Sequence, residues 1–233
     1  MLEKNRILAT TNKIIIAIDG PAGSGKSSTA TRVAEVLDYL FLDTGAMYRA
    51  VTFLVLRDGG DPCDLMASSV AAQHADIQFQ RDKHGQHVFL NGQDVTQVIR
   101  KPLVTNNIAP VAANPAVREI LVEKQRDIGK NGGIVAEGRD IGTVVFTHAE
   151  LKIFMVASMQ ERARRRAEEL REQGIPVDFE RLVREIKLRD KSDSTRQHGA
   201  LRKAPDALLL DTSNMTIEEQ VAFIVREAQK RGA

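Results

Sequence analysis

The octapeptide Gly20-Pro21-Ala22-Gly23-Ser24-Gly25-Lys26-Ser27 constrains this chain more than any other segment. It follows a β-branched apolar run, Lys13 to Ile18, and precedes helical periodicity from about Lys26 to Leu37. A buried strand, a glycine-rich turn and a helix start, in that order, match the phosphate-loop pattern G-x-x-x-x-G-K-[ST] at every position. Glycines let backbone N–H groups turn inward and approach phosphate oxygens with no Cβ in the way. The helix N-terminus adds positive partial charge at the same spot. Lys26 is placed for the β- and γ-phosphates and Ser27 for Mg²⁺, with Ser28 completing the turn. Residues Gly20 to Ser28 therefore predict a nucleoside triphosphate site with magnesium.

The rest of the chain repeats this grammar. Tyr39–Leu42, Ile134–Ala136, Leu151–Ala157 and Leu208–Leu210 are further short apolar strands, each followed by helical periodicity or a polar turn. Strands alternating with helices predict an α/β, three-layer fold around a five-stranded parallel sheet. Between about His74 and Val98 the apolar residues alternate instead, and Asn91-Gly92 is a two-residue hairpin signal. That stretch predicts a small antiparallel β ribbon, inserted because about 25 residues cannot bury a core of their own. Two charged helices are expected over Met159–Gln173 and Asp178–Asp190. Thr216 with Glu219 predicts a capping box opening the last helix.

Charge and cysteine content narrow the class. The 233 residues carry 33 basic and 31 acidic side chains, a net +2, yet residues 158–203 hold 13 Lys/Arg against 9 Asp/Glu. A modest basic segment suits a small anionic ligand better than a nucleic acid. One cysteine, Cys63, excludes an intrachain disulfide, and it is expected to be a buried or half-buried thiol. His84 and His87 fall in the expected ribbon turn and read as exposed polar residues rather than metal ligands. No apolar stretch approaches the ~18 residues of a membrane span. MLEKNRILATTN lacks a signal peptide's apolar region and cleavage site, so a cytoplasmic location is expected, and a monomer.

Several phosphate-loop classes remain to be separated. The one Asn-Lys pair, Asn12-Lys13, is followed by Ile14-Ile15 and is not a guanine-reading N-K-x-D. No LSGGQ-like transporter signature is present. A small-molecule kinase needs arginines that hold an acceptor phosphate opposite the triphosphate. Candidates follow strands at the carboxyl edge of the sheet, where open α/β folds bind ligands. They are Asp43-Thr44-Gly45-Ala46-Met47-Tyr48-Arg49, Glu137-Gly138-Arg139-Asp140 and, after the second charged helix, Arg189, Asp193 and Arg196. A nucleotide-dependent switch and an RNA-stimulated ATPase stay open on these residues alone.

The phosphate loop, DTGAMYR, EGRDIGT, ERARRR and RDKSDSTR, in that order, resemble the bacterial cytidylate kinases, over nearly the whole chain. The resemblance implies transfer of the ATP γ-phosphoryl group to CMP or dCMP, with a kinase for another monophosphate such as UMP as the neighbouring reading. It implies a core of residues 13–45, 132–157 and 204–233, an acceptor-binding region 46–131 and a helical lid 158–203. By the same resemblance Arg49, Arg139 and Arg196 hold the acceptor phosphate. Thr44, Arg118 and Asp140 read the cytosine, while Arg189 and Asp193 approach the sugar. Arg162 and Arg166 close over ATP, and Glu137 joins Ser27 at Mg²⁺. This chain has Ala109 where such kinases often carry a serine.

Overall fold

Strand β1 (Ile15–Asp19) is buried along its whole length and shows why its sequence carries no polar alternation. Ile15 and Ala17 enter one core with Leu42, Met47, Leu121 and Phe146. Ile14, Ile16 and Ile18 enter a second with Val33, Ile153 and Ile224. A strand covered on both faces must be apolar on both, and each fully buried isoleucine contributes about 1.5–3 kcal/mol of transfer free energy. The computed structural model describes residues 13–82, 85–172 and 174–233.

Around β1 lie β2 (Leu40–Asp43), β6 (Ile134–Gly138), β7 (Leu151–Val156) and β8 (Leu208–Asp211), in the order β2-β6-β1-β7-β8, all parallel. This is the expected five-stranded sheet. Its register pairs Asp43 with Glu137 and Asp19 with Gly138. Three strands thus end at one level, and their loops open onto a common crevice.

Helix α1 (Lys26–Leu37) follows β1, and α2 (Thr44–Arg57) follows β2. Asp43 caps α2 by accepting from the Ala46 N–H at 2.8 Å. Helix α3 (Leu65–His74) leads to the insertion, β3 (Ile77–Asp82), β4 (Gly85–Leu90) and β5 (Gln93–Asp94), a three-stranded antiparallel sheet within the expected limits. Asn91 (φ 51°) and Gly92 (φ 80°) form the turn between β4 and β5, as their left-handed preference foretold. Ile77, Val88, Leu90 and Val95 pack into the main core, so the insertion shares that core. His87 sits half-buried between Asp82 and Asp94; His84, in the expected turn, lies outside the described residues. A 3₁₀ turn (Val98–Arg100) and helices α4 (Pro102–Thr105), α5 (Ile108–Ala113) and α6 (Pro115–Gly129) return the chain to β6.

Helices α7 (Met159–Glu172) and α8 (Phe179–Thr195) follow β7, and Ala163, Ala167, Leu182 and Ile186 give them a small core of their own. Helix α8 runs more than a turn beyond the expected end at Asp190. Serine, aspartate and threonine favour helix ends. Here Ser194 and Thr195 instead donate back to the Lys191 carbonyl, at 3.1 and 2.7 Å, and Asp193 is held by arginines. Helix α9 (Ile217–Gln229) opens with the expected Thr216/Glu219 capping box. Cys63 departs from expectation. It is exposed, in a turn closed by its own N–H donating to Asp61 at 2.8 Å, and it is the neighbouring Pro62 that is buried.

Candidate active site

The phosphate loop joins β1 to α1. Gly23 (φ 76°) and Gly25 (φ 88°) are left-handed, and Gly25 caps α1 without a side-chain bond, leaving the first-turn N–H groups free for an anion. Gly20 has a second reason to be glycine: a Cβ there would stand 2.2 Å from the Met155 carbonyl oxygen. The loop is braced both from within and from outside. The Pro21 carbonyl accepts from Lys26 Nζ at 2.8 Å and the Ala22 carbonyl from Arg162 at 3.1 Å. The Ser24 carbonyl accepts from the Thr212 hydroxyl at 2.9 Å, while the Ser24 hydroxyl itself is buried without a partner among the described residues. Ser27 and Ser28 border a cleft of about 500 Å³ that extends to Asp43 and Arg100.

Lys26 is buried within the influence of two arginines, Arg139 and Arg189, and two carboxylates, Glu137 and Asp19. Burial, and then the repulsion of Arg139, bring its ammonium down to about 7, against the pull of Glu137. Glu137 is buried at the end of β6. Burial and the neighbouring Asp43 carboxylate push its pKa up, opposed by Lys26, a hydrogen bond with Ser27, and Arg139. Two carboxylates and a serine hydroxyl beside the phosphate loop are hard oxygen donors of the kind magnesium takes alongside phosphate oxygens. The donor set therefore fits that ion.

Across the crevice lie the arginines. Arg49 of α2 pairs with Asp43 at 2.7 Å, and its buried Nε has no partner among the described residues. Arg139, just past β6, and Arg196, at the end of α8, share Asp193 at 2.6 and 2.7 Å. Asp193 is nearly inaccessible; burial works to raise its pKa, but the two arginines outweigh it and hold it low. Arg189 lies one turn before Asp193. Burial lowers its pKa, followed by repulsion from Arg139 and further from Arg196 and Arg49. Four guanidinium groups thus act on one another opposite Lys26. Such a like-charge cluster is tolerable where an anion completes it.

Arg118 of α6 forms a buried ion pair with Asp140 and lies 5.7 Å from the centre of the Tyr48 ring. Burial pushes the Asp140 carboxyl up, with Arg118 opposing. Thr44 donates its hydroxyl proton to the Glu137 carbonyl at 2.7 Å, leaving only its oxygen lone pairs for a ligand. On α7, Arg162 is buried and holds Asp190 of α8 through two nitrogens, at 2.9 and 2.6 Å, while Arg166 pairs with Glu169 on the exposed side. The fold therefore gathers Lys26, Glu137, Arg49, Arg139, Arg189, Asp193 and Arg196, and beside them Arg118 and Asp140. Arg166 is left outside the cluster.

Some members were not foreseen. Asp190, at the expected end of the second charged helix, fastens α8 to α7 through a bond to Arg162, 28 residues earlier, that the sequence does not signal. Arg100, on the 3₁₀ turn after the insertion, reaches Asp43 at 3.6 Å. Gln125 is buried two turns after Arg118 on α6 and faces the Tyr48 hydroxyl. Asp19, at the end of β1, interacts electrostatically with both Lys26 and Asp140.

Residues 16–230 match the cytidylate kinase family model. A cytidylate kinase of Anoxybacillus flavithermus is 49% identical, over 94% of this chain and 97% of its own. One of Limosilactobacillus reuteri is 51% identical, over 92% and 95%. Among solved structures, an uncharacterized protein from Eubacterium ventriosum shares the fold at 14% identity, with a TM-score of 0.51 over 93% of this chain and 98% of that one. The match along nearly the full length, with the insertion and the two charged helices included, places the chain in the cytidylate kinase family.

Proposed function

We propose that this chain transfers the γ-phosphoryl group of ATP to CMP and dCMP, giving CDP and dCDP, as a cytoplasmic monomer that requires Mg²⁺. The observation that carries this is the facing pair of cationic half-sites, the phosphate loop with Lys26 on one side and Arg49, Arg139, Arg189 and Arg196 on the other. Among the described residues no helix is long and apolar enough to cross a membrane.

Phosphoryl transfer needs little covalent chemistry from the protein. The acceptor phosphate oxygen is already ionised near neutral pH and attacks the γ-phosphorus. That bond forms as the bond to the β–γ bridging oxygen breaks, and ADP leaves. The obstacle is repulsion between two polyanions, and converging cations in a closed site reduce it. Lys26 spans the two phosphate groups. Arg49, Arg139 and Arg196 orient the acceptor phosphate through planar forks that stay charged. Ser27 and Glu137, with Asp43 adjacent, would hold magnesium, which when bound would offset negative charge on the triphosphate. Arg189 and Asp193 face the sugar. Arg162 and Arg166 belong to the lid of residues 158–203, which folds over ATP and excludes water. Residues 46–131, with the insertion, form the acceptor side.

Base choice follows from donor and acceptor order. Cytosine offers an amino donor at N4 and acceptors at N3 and O2. Asp140 accepts from N4, Arg118 donates to N3 or O2, and Thr44, its proton already committed, can face N4 only as an acceptor. Uracil reverses the order at positions 3 and 4, leaving both partners mispaired. A coupled assay with ATP, magnesium and CMP, dCMP, UMP, AMP or RNA tests the whole reading. CMP and dCMP should turn over fastest, and Asp140→Ala should lower the CMP-over-UMP preference by about tenfold or more. A wild-type protein that consumes ATP only with RNA, or not at all, defeats it. An unchanged ratio in Asp140→Ala defeats the base-reading assignment alone.

A further inference from the structure

Asp19 is the last residue of β1 and is 4% exposed. Its two carboxylate oxygens each accept a backbone N–H at 2.8 Å, Oδ1 from Ile141 and Oδ2 from Gly142. Those N–H groups lie more than a hundred residues away, directly after Arg139 and Asp140. They belong to a π-helical turn (Ile141–Val145), a form that is rare and concentrated at functional sites. The same turn is tied back to Asp140, whose carbonyl accepts from the Val144 N–H at 2.8 Å and the Val145 N–H at 3.2 Å. Where this turn sits decides where Arg139 and Asp140 point. On its other side Asp19 adjoins Gly20, and it interacts electrostatically with both Lys26 and Asp140.

We propose that Asp19 is a positioning residue that clamps the π-helical turn to the base of the phosphate loop and so fixes Arg139 and Asp140 against the acceptor nucleotide. The chemistry calls for aspartate. An ionised carboxylate is acceptor-only and can serve two parallel N–H donors at once. Asparagine of the same shape offers one oxygen and turns an NH₂ toward the second donor. A short side chain on a buried strand also cannot wander, so the geometry passes from the sheet to the turn without slack. The inference rests on the assignment of Arg139 and Asp140 to the acceptor, which Arg139→Ala checks separately.

The test is steady-state kinetics of Asp19→Asn, with KM measured separately for CMP and ATP, the CMP-over-UMP ratio, and the thermal midpoint. Losing one hydrogen bond to a charged group should raise KM for CMP by about ten- to a hundredfold and erode the CMP-over-UMP ratio, with KM for ATP unchanged. Gly142→Ala presses on the same contact from the other side, since its Cβ would stand 3.4 Å from Asp19 Oδ2 and 3.2 Å from Lys152 Cδ. It should shift KM for CMP in the same direction by less, and it decides the matter if Asp19→Asn does not fold. A lower thermal midpoint with neither KM changed would make Asp19 a strand-end staple and overturn the proposal. Equal increases in both KM values would place its effect on the phosphate loop and overturn it too. If Arg139→Ala leaves KM for CMP unchanged, the acceptor assignment fails first, and the kinetics of Asp19→Asn lose their target.

Discussion

On the function proposed above, the two halves of the site recognise the same chemical group, a phosphate, by opposite means. The donor half is one contiguous loop that offers backbone N–H groups, a helix N-terminus and a single lysine. The acceptor half is a set of side-chain guanidiniums delivered by α2, the β6 loop and α8, each steered by an acid: Asp43 for Arg49, Asp193 for Arg139 and Arg196. Backbone donors are neutral and cost little to hold empty. Converged guanidiniums repel one another, so the empty acceptor half needs counter-ions, and Asp193 serves two arginines at once. The donor half is set by local conformation and the acceptor half by long-range ion pairing.

The sharpest way to break this comparison is Lys26→Met. Lys26 is the donor half's one mobile charge, and its loss should lower kcat by about 10⁴. The same variant should stabilise the empty protein. With the folded pKa brought down to about 7 from an ordinary 10.5, the destabilisation is present in full below about 7. It fades as pH rises toward 10.5. Thermal midpoints should therefore favour the methionine variant at pH 7, with the gap closing in alkaline solution. A gap that does not change with pH would mean that Lys26 is not held as a strained charge.

Next in size is Arg139→Ala, on the acceptor side. It removes a guanidinium from the proposed acceptor-phosphate site and leaves Asp193, 3% exposed at its side chain, without one of its two paired arginines. We expect kcat/KM for CMP to fall by about 10³ while KM for ATP holds. Stability should fall as well, because breaking a buried pair costs about 3–5 kcal/mol. The donor variant would thus gain stability where the acceptor variant loses it. Equal signs in the two thermal shifts would erase the distinction drawn above.

The same contrast decides what could be read from the sequence. The phosphate loop, the five strands, the Asn91-Gly92 turn and the Thr216 capping box are local patterns, and each is written in adjacent residues. Arg49 and Arg139 could be picked out as candidates because they follow strand ends at the ligand-binding edge, and Arg189 and Arg196 because they lie at or after the expected end of the second charged helix. Their partners could not. Asp193 is 54 residues from Arg139, Asp190 is 28 from Arg162, and Asp19 is 122 from Ile141. Only the sheet register and the α7–α8 pairing bring them together. The end of α8 was misjudged for the same reason, since local propensity argued for a stop that the Asp193 ion pairs override. Cys63 was misjudged because Pro62 and Cys63 are both apolar enough to be buried, and the Asp61 turn decides which one faces inward.

Within the lid the comparison recurs at its smallest scale. Arg162 and Arg166 lie one turn apart on α7 and are equally charged. Arg162 is buried, spans two helices through Asp190 and touches the phosphate loop at the Ala22 carbonyl. Among the described residues Arg166 pairs with Glu169, three residues on, with both side chains about half exposed. An exposed pair of that kind contributes about 0–1 kcal/mol, so the lid role proposed for Arg166 asks it only to exchange Glu169 for a phosphate. Arg166→Ala should therefore leave the thermal midpoint almost unchanged and raise KM for ATP by about two- to fivefold, the equivalent of one modest surface contact. Arg162→Ala, which strands Asp190 and frees the loop carbonyl, should lower the midpoint measurably as well. Should the two variants melt alike, the buried bond through Asp190 contributes no more than a surface pair, and the lid's attachment must lie in the α7–α8 core of Ala163, Ala167, Leu182 and Ile186 instead.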